Sequence, residues 1–291
     1  MTAQPRLVMY GATLRSLPLA AGFLAAREAG CEALSLMPHD ILQHEREGGS
    51  LREIAEWAKE AGIAVTRLEP FLRWVPVWEP AGATTQRLEA LGCSEEDVFR
   101  IAPALDVRSL TLAALCPKDA MSFDEMRDCL AAFCARAATR GLYCDLEFMP
   151  FSAIPDLGAA QRLQEAVGAA QCGIMFDLWH YVRSGGVPDL ASMLRQVSIG
   201  GIQLCDGARD AAPGIDPLTE TVTRRVLPPD GEFPVTPIMQ TLAEANAVSE
   251  MGLEVLSTAL DELPPGDLIE RCRRSLEGIC SALKNVTPAM R

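Results

Sequence analysis

YCDLEFM, at residues 143–149, is typical of a short buried β-strand, and the acid Glu147 lies near its carboxyl end. Three later apolar runs repeat this arrangement, with an oxygen-bearing side chain near the carboxyl end of each. They are CGIMFDLWH (172–180) with Asp177, GIQLCDG (201–207) with Gln203, and MGLEVLS (251–257) with Glu254. An acid inside a buried strand is costly unless it is paired or holds a cation. Four such side chains at matching strand positions therefore predict one shared ligand, most simply a divalent metal ion.

Working outward from these runs, strand-like and helix-like segments alternate eight times along the chain. The first four strand candidates lie at 6–11, 32–38, 64–70 and 109–115. Amphipathic helix candidates lie at 18–29, 51–61, 94–104, 122–140, 157–170, 187–196, 237–248 and 265–283. Eight such units match the α/β fold of the (β/α)8 barrel, whose catalytic groups lie at the carboxyl ends of parallel strands. We therefore predict a single-domain TIM barrel over residues 1–291 rather than a doubly wound open sheet, because no GxGxxG motif follows the first strand.

The composition narrows the class of protein further. The chain has 291 residues, of which 49% are hydrophobic, enough to bury a large core. A formal charge of −13 argues against a nucleic-acid partner, because binding phosphates needs a basic surface. The sequence predicts no signal peptide, and no run approaches the roughly 18 apolar residues that span a membrane. The ten cysteines form no CxxC pair, which favours free thiols and a cytoplasmic location.

Two connections are longer than usual and lie after strands, where a barrel has its mouth. The segment 71–91 carries Trp74 and Trp78, which could line the mouth as an aromatic wall or simply pack on helices. The segment 207–236 carries several arginines, of which Arg224 or Arg225 could contact a substrate carboxylate.

Each of the four oxygen-bearing side chains also has a purely structural explanation. Glu147 could form a salt bridge, Asp177 could cap a helix, and Gln203 could be a hydrogen-bonded core amide. Their joint placement on strands five to eight favours a metal site, because neighbouring barrel strands bring such positions to one centre. Three carboxylates and one amide oxygen favour Mn²⁺ or Mg²⁺, with Co²⁺ or Zn²⁺ as alternatives, since zinc prefers nitrogen and sulfur ligands.

The motifs LEFMP, FDLWHYVRSGG, IQLCDGARD and GLEVLS resemble those of the xylose isomerase-like, or sugar phosphate isomerase/epimerase, superfamily of TIM barrels. The resemblance implies that Glu147, Asp177 and Glu254 are metal ligands. Gln203 departs from the histidine that is commonest at the fourth ligand position, although some dehydratases of the superfamily also carry glutamine there.

The same resemblance implies that His180 and Arg209 contact the substrate, and it suggests a homo-oligomer. Read without it, His180 could be a packed histidine and Arg209 a surface charge. The implied partner is a small sugar or polyol, with no nucleic acid and no membrane.

The chemistry of such a site starts with a proton. A cation held by two adjacent substrate oxygens polarises a carbonyl and acidifies the neighbouring C–H bond. Glu147 and Glu254, on strands five and eight, are the predicted catalytic pair, and each could act as a base on one face of the substrate. Returning the proton gives an isomer or epimer, whereas loss of a β-hydroxyl group gives dehydration.

We therefore expect a metal-dependent isomerase or epimerase of a ketose or related polyol, acting through an enediolate intermediate. The alternative is a dehydratase, a lyase resembling inosose or 3-dehydroshikimate dehydratase, which Gln203 and the long 207–236 segment favour. A sugar-binding barrel without catalysis is a further alternative. A nuclease on a related barrel is disfavoured, because such enzymes use many histidines and this chain has three.

Overall fold

Eight parallel strands pair in chain order and close into a barrel, which confirms the predicted fold class. The computed structural model describes residues 5–80, 84–168 and 170–284. Each strand overlaps its predicted segment. The strands are β1 (Arg6–Met9), β2 (Ala33–Leu36), β3 (Ala64–Phe71), β4 (Ser109–Ala113), β5 (Tyr143–Glu147), β6 (Cys172–Asp177), β7 (Ile199–Leu204) and β8 (Glu250–Leu253).

Helices follow the strands, and eight of them overlap the predicted helical segments. These are α1 (Leu19–Glu28), α3 (Leu51–Ala61), α5 (Glu95–Ala104), α6 (Phe123–Ala138), α7 (Leu157–Val167), α9 (Leu190–Leu194), α11 (Val235–Glu244) and α13 (Pro265–Leu283). Residue 169, in the segment predicted as a helix over 157–170, lies outside the described residues. Among the described residues, five further α-helices lie in connections that the sequence did not predict to be helical. They are α2 (Pro38–Arg46), α4 (Thr85–Leu91), α8 (Leu178–Arg183), α10 (Pro217–Thr223) and α12 (Thr258–Asp261).

Local sequence sets where several helices begin. Ser122 and Glu125 form a capping box at α6, in which each side chain accepts a hydrogen bond from the other residue's backbone N–H. Helix α11 begins at Val235, two residues before Pro237, where its segment was predicted to open. A proline fits in this first turn because the N–H groups there have no partner within the helix.

Strand register explains why the four oxygen-bearing side chains share the barrel interior. Asp177 pairs with Gln203 across β6 and β7, and Glu147 is level with Met175, two residues before Asp177. Glu254 lies two residues beyond the β8 partner of Gln203. Because side chains alternate between the two faces of a strand with a period of two, all four point to the same face.

The first long connection packs at the carboxyl end of β4. Trp74 is buried in the core, and its indole N–H donates to the carbonyl oxygen of Ala113 at 2.9 Å. Residues 81–83 of this connection lie outside the described residues. Trp74 therefore follows the packing interpretation rather than the aromatic wall. None of the helices in the described ranges combines the length and the hydropathy that a membrane span requires.

Candidate active site

A cavity of about 300 Å³ opens at the carboxyl ends of the strands. Its polar lining includes Glu147, His180, Gln203 and Glu254, which the sequence nominated. Asp177 has no exposed surface and lies against His180 at the edge of the cavity. The structure thus brings together all four predicted ligands and one of the two predicted substrate contacts.

Asp177 has two roles at the end of β6. Its Oδ1 accepts a hydrogen bond from the backbone N–H of His180 and so caps α8. Its Oδ2 lies 3.6 Å from His180 Nε2, which in turn lies 3.8 Å from Glu147 Oε1. Ligand atoms of these three residues all lie within 4.8 Å of one another, a spacing that could hold a metal ion. Asp177 can therefore cap α8 and also contribute to a metal site.

Gln203 lies between two acids. Its Nε2 donates to Glu254 Oε1 at 2.9 Å and to Glu69 Oε2 at 3.1 Å. Its Oε1 is buried, and within the described residues it has no hydrogen-bond partner. A buried polar atom without a partner is costly, so this oxygen is suited to a ligand.

Arg225 places a buried positive charge against two of the acids of the site. Its Nη1 donates to Asp177 Oδ2 at 2.8 Å and to Glu254 Oε2 at 2.9 Å. Its Nε donates to the carbonyl oxygen of Thr221 in α10, which the 207–236 segment adds to the barrel. The guanidinium lines the cavity and is almost completely buried. This segment thus places an arginine against two of the predicted metal ligands.

Burial and charge shift the pKa values of the site in different directions. Burial, together with the charges of Asp177 and Glu69, holds the pKa of Glu147 well above its ordinary value. Burial also raises the pKa of Glu254 and lowers the pKa of His180 from 6.5 to about 4. Although burial opposes it, the neighbouring Arg225 and His180 leave the pKa of Asp177 below its ordinary value. The imidazole of His180 is therefore neutral at pH 7. It adds no positive charge beside the buried acids.

A divalent cation fits this arrangement. Carboxyl groups of Glu69, Glu147 and Glu254 line the cavity beside buried Asp177, whereas Arg225 is the cation that bridges two of them. The unpartnered Oε1 of Gln203 adds a neutral oxygen donor. Glu147, Asp177, Gln203 and Glu254 could together hold the ion, and an oxygen-rich set of this kind suits hard divalent cations.

Arg209 lies elsewhere. It is exposed, its backbone N–H donates to Glu232 Oε2 at 3.0 Å, and its carbonyl oxygen accepts from Arg183 Nη1 at 3.2 Å. It is not among the residues that line the cavity. Its contact with substrate stays a prediction that this geometry does not support, whereas Arg225 does line the cavity.

Glu69 is the site residue that the sequence reasoning missed. It lies near the end of β3, is 4% exposed and lines the cavity. Burial raises the pKa of this carboxyl to about 7. The signal was present in AVTRLEP (64–70), where an acid follows an apolar position near a strand end, as in the four later strands.

Comparisons with known proteins agree with this architecture. A family model described as xylose isomerase-like TIM barrel matches residues 23–278. A sequence search of curated proteins found no match.

Solved structures show the same fold with several activities. A "xylose isomerase-like TIM barrel/4-hydroxyphenylpyruvate dioxygenase fusion protein" is 20% identical with a TM-score of 0.78, covering 99% of this chain and 45% of the fusion protein. The chain therefore spans less than half the length of that relative. The probable 3-DHS dehydratase AsbF of Bacillus anthracis is 17% identical with a TM-score of 0.69, covering 94% and 98% of the two chains. D-Psicose 3-epimerase of Clostridium cellulolyticum H10 is 13% identical with a TM-score of 0.69, covering 96% and 99%.

Proposed function

The chain belongs to the xylose isomerase-like TIM barrel family, and we propose that it is a divalent-metal-dependent dehydratase of a small polyhydroxylated carbonyl compound. The observation that carries this choice is Arg225, which holds one of the two candidate bases, Glu254, and lines the cavity. The sequence alone favoured isomerisation or epimerisation, whereas this contact favours dehydration.

Glu147, Asp177, Gln203 and Glu254 would hold the cation. When bound, a divalent cation supplies positive charge that polarises a carbonyl and stabilises the negative charge left by proton removal. Each carboxylate oxygen has more than one lone pair, so an oxygen that accepts a hydrogen bond from a protein donor can still serve the ion. The remaining chemistry belongs to the side chains around this set.

The two candidate bases are held differently. Glu254 accepts hydrogen bonds on both oxygens, from Gln203 and from Arg225. Glu147 makes no hydrogen bond to another described side chain, and His180 Nε2 lies 3.8 Å away. Epimerisation needs a proton donor or acceptor on each face of the substrate, whereas dehydration needs one base and one group that assists the leaving hydroxyl. We assign proton removal to Glu147 and assign to His180 a hydrogen bond to the departing hydroxyl group. The proton taken by Glu147 would then pass to that hydroxyl, so that water leaves.

The walls of the cavity favour a substrate with an apolar face. They include Leu115, Met149, Phe151, Leu218 and Val222. A ketose carries a hydroxyl group on almost every carbon, and several of these would lie unpaired against such walls. A ring that carries few hydroxyl groups on one face avoids this cost.

Charge favours an anionic substituent on the substrate. Arg225 lines the inner wall, and Arg15 lines the cavity while it pairs with Asp261 at 2.6 Å. Guanidinium groups bind carboxylates through paired hydrogen bonds. We therefore propose a cyclic hydroxy-ketone that carries a carboxylate, of the 3-dehydroshikimate kind, as the substrate class.

Isomerisation or epimerisation is the second candidate, because both Glu147 and Glu254 line the cavity and the D-psicose 3-epimerase named above shares the fold. A binding barrel without turnover is the third. Manganese or magnesium as the natural ion and a homo-oligomer stay predictions.

Incubation of the purified protein with Mn²⁺ in D₂O separates these candidates. The panel contains 3-dehydroshikimate, an inosose, D-fructose and D-psicose, with EDTA-treated protein and Glu147→Gln as controls. Loss of water with a new ultraviolet absorbance, abolished by both controls, is the expected result. Deuterium incorporation with every hydroxyl group retained would instead establish the epimerase. Thermal stabilisation by a compound that undergoes no reaction would identify a binding protein.

A further inference from the structure

Glu69 is anchored by three protein donors. Its carboxylate accepts a hydrogen bond from Ser35 Oγ, one from Thr111 Oγ1 at 3.1 Å and one from Gln203 Nε2 at 3.1 Å. Arg67 Nη1 in turn donates a hydrogen bond to Thr111 Oγ1 at 3.4 Å. Glu69 is therefore held in one place on β3.

Gln203 has only one amide orientation that satisfies its neighbours. The amide nitrogen carries two protons, and it faces one carboxylate oxygen of Glu69 and one of Glu254. The reversed amide would place its oxygen against both carboxylates, with no donor to either. With the nitrogen so engaged, Oε1 is the amide atom that stays available to a ligand, and it has no hydrogen-bond partner among the described residues.

We propose that Glu69 is a positioning residue that fixes the Gln203 amide so that Oε1 serves as a metal ligand. This role rests on the metal site of the proposed function. It also gives a physical reason for glutamine at position 203. An amide can donate to two acids and still offer an oxygen, whereas a neutral imidazole has a single N–H, which could serve only one of Glu69 and Glu254.

Isothermal titration with Mn²⁺ tests the role without measuring turnover. Glu69→Met keeps the size of the side chain but removes the acceptor, and we expect Mn²⁺ to bind about 10–100-fold more weakly, as for other residues that orient a metal ligand. Glu69→Gln keeps an acceptor for the Gln203 N–H, so its affinity should stay close to that of wild type. Ser35→Ala is the matched control, because it removes a hydrogen bond to Glu69 without contacting Gln203.

A second background shows whether the effect passes through Gln203. Gln203→Ala should itself weaken Mn²⁺ binding, and adding Glu69→Met to it should cause little further loss. If Glu69→Met does not fold, as judged by circular dichroism, Glu69→Asp takes its place, because the shorter acid draws the acceptor away from Gln203.

The outcomes are distinguishable. Equal affinity of wild type and the Glu69→Met or Glu69→Asp variant would overturn the positioning role while leaving the metal site intact. So would an undiminished loss in the Gln203→Ala background. A wild type that binds no Mn²⁺ would overturn the metal site, and this role with it.

Discussion

Arg225 is the residue whose removal tests the charge balance of the site most directly. Its Nη1 bridges Asp177 and Glu254 in a place with almost no solvent. Replacement by methionine keeps much of the volume but leaves two buried acids without their cation. Breaking a buried ion pair in this way costs about 3–5 kcal/mol.

The corresponding shift in melting temperature is large enough to measure. For a chain of this size, each kcal/mol lowers the melting temperature by about 2 °C, so metal-free Arg225→Met should melt about 6–10 °C below wild type. Arg224→Met is the matched control, because Arg224 is the exposed neighbour of Arg225. A surface substitution of this kind should change the melting temperature by only about 1 °C.

The metal gives the prediction a second arm. Arg225 and a bound cation would interact with the same two carboxylates, those of Asp177 and Glu254. The presence of Arg225 should therefore weaken Mn²⁺ binding by about 5–150-fold. Mn²⁺ should therefore bind Arg225→Met more tightly than wild type, and the gap in melting temperature should narrow as Mn²⁺ is added. Differential scanning calorimetry with and without Mn²⁺ measures both effects. Equal melting of the two arginine variants, or a gap that Mn²⁺ leaves unchanged, would refute the reasoning.

Further predictions concern the base, the buried histidine and the floor of the barrel. Glu147→Gln should lower the turnover rate about 10²–10⁴-fold in a steady-state assay and leave the melting temperature equal or higher, because it removes a general base and a buried acid. Burial lowers the pKa of His180 to about 4, so the unfolded chain binds its proton at a higher pH than the folded protein does. Relative to His180→Gln, wild type should therefore lose about 3 kcal/mol of stability as the pH falls from 6.5 to 4, measured by urea unfolding. A Cβ at Gly200 would lie 1.7 Å from Asp145 Oδ1, so Gly200→Ala should lose about 1–3 kcal/mol. Gly278→Ala, in open space on α13, should gain about 0.5–1 kcal/mol in the same urea titration.

The cluster of buried acids lowers the stability of the folded protein. Burial and mutual repulsion hold the pKa values of Glu147 and Glu254 well above their ordinary range. Apolar residues at these two positions would make the fold more stable, because functional sites commonly lower the stability of the protein that carries them. Metal affinity and fold stability should therefore be coupled in every variant of this set.

Hydrophobic patterning in the sequence was enough to predict the barrel and the four oxygen-bearing strand ends. Because side chains alternate between the two faces of a strand, the local sequence determines which face Glu147 or Glu254 points to. The register of neighbouring strands then brings these side chains to the same side of the sheet. Asp177 and His180 are likewise joined by a helix cap spanning three residues.

Only the tertiary structure decided which distant residues complete the site. Arg225 reaches Asp177 from the segment between β7 and β8, and Glu69 reaches Gln203 across the barrel from β3. Arg209 has the same charge and lies closer in sequence to Gln203, yet it is exposed. The physical reason is that periodicity reports the direction of a side chain along its own element, whereas the path of a long connection and the packing of α10 depend on contacts that sequence spacing does not encode.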